Sequence, residues 1–263
     1  MVTSPLITVM VNAVRRSTHK LMRDFGEVEN LQVSEKGPGD FVTKADKRVE
    51  EILFEELKKV RPKFGFHMEE GGDVVGEDPE SLWIIDPIDG TTNFIHGIPH
   101  FGISVALEQR GEIVAGVIYN PATNELFTGE KGRGSYLDDR RLRVSGRADL
   151  HEAVIASGVP HRGRADLEKY RGELAVMQDK VAGIRRFGAA SMDLAYVACG
   201  RFDGYWERGL QKWDIAAGVI IVQEAGGIVG GMDGNDDFMT SGDIIAGNKT
   251  IHAVMKDELD KLS

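Results

Sequence analysis

One cysteine, Cys199, is all that the 263-residue chain contains. That excludes an internal disulfide and a zinc centre built on several thiolates, and it makes a reducing compartment the simpler setting. With Val197 and Ala198 as neighbours, the thiol reads as a packing group rather than a nucleophile. Long apolar runs are equally scarce: the longest covers residues 215–222, far short of a bilayer span. Residues 1–6 make too short an apolar start for a signal peptide, with Arg15 and Arg16 soon after, so a cytoplasmic protein is expected. An excess of cationic charge is missing too. The 32 Lys and Arg stand against 42 Asp and Glu, a net charge of -10, and the bases are interleaved with the acids. Nucleic acid and anionic membranes are therefore not indicated as partners. Repeats, low-complexity stretches and long linkers are absent, so residues 1–263 are expected to fold as a single domain.

What is present is a globular composition, 41% apolar and 28% charged, which a chain of this length can turn into a substantial core. Residues 6–25 repeat apolar positions at helical spacing through Ile7, Met10, Val11, Val14, Leu21, Met22 and Phe25. A second helix follows, with Ala45, Val49, Ile52, Leu53, Leu57 and Val60 on its inner face and Glu50, Glu51, Lys58 and Lys59 pointing away. Thr43 and Asp46 have the spacing of a capping box, which puts Asp46 in the first turn. From 102 to 145 the runs ISVAL, IVAGVI, ELF and SYL, separated by glycine or charged turns, predict an antiparallel meander. Beyond it, strands at 154–157, 204–206 and 228–230 alternate with helices at 167–181, 190–199, 213–225 and 251–262. The expected fold class is thus mixed α/β (α+β), an antiparallel sheet in residues 1–150 and an α/β sheet in residues 151–263.

The densest chemistry lies at residues 83–94, WIIDPIDGTTNF. An apolar run from Leu82 to Ile85 reads as a buried strand that Pro87 stops, with Asp86 and Asp89 on either side of the proline. Asp-Pro and Asp-Gly are each ordinary turn chemistry. Together, at a strand end and before Gly90, Thr91 and Thr92, they suggest cations and an anion held at one place. Three other acids could join them. Glu69 and Glu70 precede Gly71 and Gly72, where solvated surface is the plainer reading; Asp214 opens a helix, where N-capping is the plainer one. Hard cations such as Mg2+ favour carboxylate and carbonyl oxygens, and Asp86, Asp89, Glu69 and Asp214 offer that set if the fold unites them. His67, His96 and His100 lack a ligand spacing and read as surface or core residues.

These residues resemble the inositol monophosphatase family of Mg2+-dependent, lithium-sensitive phosphatases. Asp86 to Thr92 match its Asp-Pro-Ile-Asp-Gly-Thr-Thr signature, and Trp213 to Gly227 match its Trp-Asp, aliphatic, Glu-Ala-Gly-Gly signature. Asp40-Phe-Val-Thr43 with Asp46, and the Glu69–Glu70 pair, extend the likeness over nearly the whole chain. Met68, in place of a glycine, and Ala189, in place of a hydroxyl residue, depart from the family pattern. The resemblance implies a layered α-β-α-β-α sandwich, as in fructose-1,6-bisphosphatase, a homodimer, and a small phosphorylated polyol as substrate. It implies that Glu69, Asp86 and the Ile88 carbonyl hold one Mg2+, and that Asp86, Asp89 and Asp214 hold another. It implies a water oriented by Glu69 and Thr91, with Asp46 holding the Thr91 hydroxyl, and phosphate oxygens met by the amides of Gly90, Thr91 and Thr92. For the alcohol it implies Asp89, Ala190, Asp214 and Glu207, the last standing seven residues before Asp214 beside Arg208. On its own Glu207 reads as a surface acid. Relatives acting on 3′-phosphoadenosine 5′-phosphate, fructose 1,6-bisphosphate or histidinol phosphate share the metal core, and a regulatory binding protein that kept the fold is the alternative of another class.

Overall fold

The computed structural model describes residues 4–27, 33–37, 40–160 and 166–262. Helix α1 (Pro5–Gly26) starts where the Ser4 hydroxyl accepts the Ile7 amide at 3.1 Å and Pro5 presets the first turn. Strands β1 (Val33–Gly37) and β2 (Asp40–Thr43) form a two-stranded ribbon leading into α2 (Lys44–Val60). The side chains of Asp40, Phe41 and Val42 lie outside the described residues. The predicted capping box is present: Thr43 accepts the Ala45 amide, and Asp46 accepts the Thr43 amide at 2.8 Å. The inner face of α2 is displaced from the expected one. Glu50, expected to point away, is buried, whereas Val60 is 43% exposed. Glu50 follows Asp46 by one helical turn and therefore shares its face, which the apolar periodicity did not register.

An eight-stranded sheet comprises β3 (Phe64–Met68), β4 (Gly72–Val74), β5 (Asp78–Asp89), β6 (Gly102–Gln109), β7 (Glu112–Asn120), β8 (Glu125–Glu130), β9 (Gly134–Leu137) and β10 (Arg140–Arg141), in spatial order β10-β9-β8-β7-β6-β5-β3-β4. The predicted meander is β6 to β10. Arg110 and Gly111, both at positive φ, make the two-residue turn between β6 and β7 that the strand twist favours. Strand β5 does not stop at Pro87. It continues to Asp89, and Pro87 and Ile88 sit where the register with β6 shifts from Asp86↔Ser104 to Asp89↔Gly102. A bulge needs no ladder donor at the inserted position, so it accommodates the proline and re-aims the residues beyond it.

The second sheet has order β12-β11-β13-β15-β14, from β11 (Val154–Ser157), β12 (Gly183–Arg185), β13 (Gly204–Glu207), β14 (Ile228–Gly231) and β15 (Ile244–Gly247). Strands β11, β12 and β13 run parallel, and β15 is antiparallel to both neighbours. Around the sheets stand α3 (Thr91–Ile95), α4 (Leu167–Gln178), α5 (Ala190–Ala198), α6 (Lys212–Glu224), α7 (Phe238–Ser241) and α8 (Lys249–Asp260). Helices α1 and α2 cover the first sheet, α5 and α6 fill the space between the sheets, and α4 and α8 cover the second. This is the expected α-β-α-β-α layering.

The side-chain alternation of β5 shows how the layers form. Trp83 and Ile85 pack toward α1 and α2, while Ile84 packs toward α5 and α6, so both faces are buried and the strand reads as a continuous apolar run. Helix α6 lies between two apolar surfaces, and Ile215 to Val222 are buried all round. It approaches the sheet closely because Gly116 has no side chain: a Cβ there would lie 2.7 Å from the Ala217 carbonyl oxygen. That approach carries the start of α6 to the end of β5.

Candidate active site

Four chain segments meet where β5 ends. Strand β3 pairs in parallel with β5 through Met68↔Ile85, and the Glu69 amide donates to the Ile85 carbonyl at 3.2 Å. Glu69 thereby stands beside Asp86. Met68 is buried in β3 and leaves that bond intact. Past the bulge, Gly90 adopts φ +90, and a Cβ on it would press on Ala189, on the Gly188 carbonyl and on the His100 carbonyl at 3.1–3.3 Å. Glycine is needed there for its backbone conformation and for space. Ala189 lies buried beneath this turn. Gly90 opens the short helix α3, whose first residues are Thr91 and Thr92.

Each aspartate is held by backbone amides. Asp86 accepts the Ile88 amide at 3.0 Å, and its carboxyl also shares a hydrogen bond with Glu69. Asp89 accepts the Ser191 amide at 2.7 Å, the Ser191 hydroxyl at 2.5 Å and the Ala190 amide. It therefore caps α5 from another strand, since Ala189 has no capping group of its own. Asp214 is the third residue of α6 rather than its cap; its Oδ2 accepts the Gln211 amide at 2.7 Å. Asp46 accepts the Thr91 hydroxyl at 3.1 Å, and the Ile88 carbonyl lies 3.0 Å from the same hydroxyl. Thr91 has one hydroxyl proton, so those two acceptors compete for it.

The electrostatics follow from burial. Desolvation, then Glu69, Asp89 and Asp214, push Asp86 well above the usual carboxylate range. Burial raises Asp89 to about 6 against the bonds from Ser191, and burial with Asp89 raises Asp214. Burial also carries Asp46 to about 6. The charges that act most strongly on Asp86, Asp89 and Asp214 are those of Glu69, of Glu207 and of one another. Among the described residues no trio of acid, imidazole or thiol groups is already gathered into a metal-ligating cluster. The fit to a divalent cation rests on donor chemistry instead: hard oxygens, withdrawn from water, that repel one another.

Glu207 closes the other side of the site. It ends β13, accepts the Tyr205 hydroxyl at 2.7 Å and lies against Gly158, where any Cβ would collide with it. Burial lifts it to about 7, opposed by the Tyr205 bond and by Arg186. It is half-buried, and Arg208 beside it is buried. His67 pairs with Asp73 and stacks on Trp213 at 4.9 Å between ring centroids, and His96 is exposed. The segments thus bring together Asp46, Glu69, Asp86, Ile88, Asp89, Gly90, Thr91, Ala190, Glu207 and Asp214, with Thr92 exposed at the rim. Three residues at the site were not expected from the sequence: Ser191, Glu50 and Asp193. Asp193 is fully buried without a hydrogen-bond partner among the described residues, and its Oδ1 lies 3.9 Å from His100 Nε2. Only Glu50 had a legible signal, its four-residue step from Asp46. A cavity of about 640 Å3 opens elsewhere, between α1 and the β8–β9 hairpin, and none of these acids lines it.

Known proteins match this chain over nearly their full lengths. An inositol-1-monophosphatase of Mesorhizobium japonicum is 54% identical over 255 residues, covering 97% of this chain and 96% of its own. Nus factor SuhB of Pseudomonas aeruginosa is 43% identical, covering 93% and 92%. The crystal structure of extragenic suppressor protein suhB from Bartonella henselae superposes with a TM-score of 0.95 at 53% identity, covering 98% of this chain and 99% of that one. The Inositol monophosphatase family model matches residues 3–262. With both signatures at one site inside the layered fold, the chain belongs to the inositol monophosphatase family.

Proposed function

We propose that the chain is a Mg2+-dependent phosphatase that hydrolyses inositol monophosphates to inositol and phosphate by attack of a water, without a phosphoenzyme. The observation that supports this most is the set Asp86, Asp89 and Asp214, whose carboxyls are raised by desolvation and by neighbouring carboxylates, beside Glu69 and the Thr91–Asp46 pair. Glu69, Asp86 and the Ile88 carbonyl would hold one Mg2+, and Asp86, Asp89 and Asp214 a second, with Asp86 common to both. When bound, two such ions stabilise the attacking and leaving oxygens of an in-line displacement.

The chain's own groups supply the rest. Thr91 donates its hydroxyl proton to Asp46 Oδ1 and so turns its lone pairs toward the attacking water, while the Glu69 carboxylate takes up that water's proton. Asp46 does this as a carboxylate, above about pH 6. The amides of Gly90, Thr91 and Thr92, at the head of α3, face the phosphate oxygens. Glu207, fixed by Tyr205, accepts ring hydroxyls of the inositol, with Ala190, Asp89 and Asp214 bounding the same space. The whole chain acts as one unit in this reading, since Asp89 and Glu207 come from different sheets. A homodimer in the cytoplasm completes it: Ile98 and Phe187, both joined to Asn93, are exposed apolar side chains that a second copy would cover. Among the described residues no helix is long and apolar enough to cross a membrane.

The test is phosphate release by purified protein from inositol 1-phosphate, 3′-phosphoadenosine 5′-phosphate, fructose 1,6-bisphosphate and histidinol phosphate, with Mg2+ and with added Li+. Fastest release from inositol 1-phosphate, inhibited by Li+, is expected; no release from it would refute the proposal. A regulatory role through a protein partner is the second reading, favoured by the relatives that carry the name Nus factor. Loss of activity in Asp89→Asn with an unchanged cellular phenotype would support it.

A further inference from the structure

Glu50 is an acid buried to 5% exposure on the inner face of α2, and its partners are not cations. Its Oε2 accepts the Glu70 amide at 2.8 Å, and the Gly71 amide donates to the same carboxylate. A Cβ on Gly71 would lie 2.9 Å from Glu50 Oε1 and 3.0 Å from Met68 Cε, so the turn between β3 and β4 rests directly on this side chain. Glu69 is the first residue of that turn. One helical turn earlier on the same face, Asp46 accepts the hydroxyl of Thr91. Helix α2 thus presents two carboxylates one turn apart, from positions about 6 Å apart along a rigid element. One grips the segment that follows β5, and the other grips the turn that carries Glu69.

We infer that Glu50 is a positioning residue: by holding the Glu69 turn against α2 it fixes Glu69 relative to Thr91, and through Glu69 it sets the affinity for Mg2+. The inference rests on the metal-dependent phosphatase reading given above. Glu50 touches neither substrate nor metal in this scheme. Its two amide bonds keep the turn at one height above β5, where the Glu69 carboxylate meets Asp86. A buried acid that merely closed a turn would affect folding and leave metal affinity alone.

The experiment compares wild type, Glu50→Gln, Gly71→Ala and Glu51→Gln by calorimetric titration with Mg2+, by melting temperature in chelator, and by kcat and KM for inositol 1-phosphate. Gln keeps the volume of Glu50 but offers only one acceptor oxygen to two amides. Glu50→Gln is expected to weaken Mg2+ binding and lower kcat by roughly 10-fold, the lower end for groups that orient metal ligands, with KM within about twofold. Gly71→Ala, whose methyl group pushes the turn off Glu50, should weaken Mg2+ binding in the same direction, whether or not Glu50→Gln folds. Glu51→Gln, on the exposed face, should change nothing. A lower melting temperature with wild-type Mg2+ affinity in both turn variants would overturn the inference. Weakened Mg2+ binding in those variants, with no phosphate released by wild type, would leave the positioning role standing and remove the substrate. A wild type that binds no Mg2+ would remove both.

Discussion

Two clusters of acids, each with buried members, lie within this chain, and they differ in the charge that faces those members. Around Arg208, itself buried, stand Glu173 at 2.7 Å and Asp233 and Asp243 each at 2.8 Å, and Trp206 Nε1 donates to Glu173 at 3.2 Å. Lys169 adds a second positive charge at Asp233. That cluster ties α4, β13 and the loop before β15 together and completes its own hydrogen bonding. At the end of β5, Asp86, Asp89 and Asp214 have amides and a hydroxyl as donors, but the strongest charges acting on them are one another's and that of Glu69. Desolvating carboxylates is costly unless opposite charge offsets it. Where Arg208 provides the cation, the cluster is part of the scaffold; where carboxylates act chiefly on one another, the cluster is suited to a cation from solution.

The comparison breaks most visibly at Asp89. Asp89→Asn keeps an oxygen for the Ser191 and Ala190 amides but removes a charge, so the protein should fold while phosphate release falls by ~10³-fold, several kcal/mol of transition-state stabilisation. Steady-state assays beside a melting curve check it, and a fall of less than tenfold would place the ion elsewhere. Next in size is Arg208→Met. Removing the built-in cation leaves Glu173 buried and unpaired, at a cost of about 3–5 kcal/mol of stability that added Mg2+ should not restore. Denaturant midpoints with and without Mg2+ measure this.

Glu207 lies between the two cases, held by a neutral hydroxyl, and sharpens the contrast by the smallest effect. Its carboxyl is raised from the ordinary 4.5 to about 7, so it loses its charge as pH falls through 7 and becomes a poorer acceptor for ring hydroxyls. KM for inositol 1-phosphate should rise a few-fold from pH 8 to pH 6, about 1 kcal/mol for a hydrogen bond to a charged group, and Glu207→Gln should remove that difference. The stability effect has the opposite sense. A carboxyl raised on folding contributes stability below its ordinary pKa that is lost as pH rises through about 7, so Glu207→Gln should gain on wild type at pH 8 relative to pH 5.

How much of this was legible in the sequence depends on whether the cause is local. The Thr43–Asp46 cap, the meander and the apolar run of β5 all follow from spacing within one segment, and they stand as expected. Pro87 was expected to end its strand because a bulge is a property of two strands, and only the register with β6 reveals it. Glu207 reads as a surface acid because Tyr205 reaches it only in the folded chain, and the contacts of Arg208 with Glu173, Asp233 and Asp243 likewise form only there. The Ser191 bond to Asp89 spans 102 residues and leaves no local trace. The acids of the site were legible as a set through the family likeness, since Glu69 and Asp214 had plainer readings as surface and cap. Glu50 was lost to a charge-versus-apolar division of the helix, although its step from Asp46 was there to be counted.

The most direct measurement of the central claim is a calorimetric titration of Mg2+ into wild type and into Asp214→Asn, the variant farthest in sequence from the residues at the end of β5. Two bound ions in wild type, with the loss or marked weakening of one in Asp214→Asn, is the predicted result. Identical titrations for the two proteins would contradict it, because Asp214 would then take no part in holding the metal.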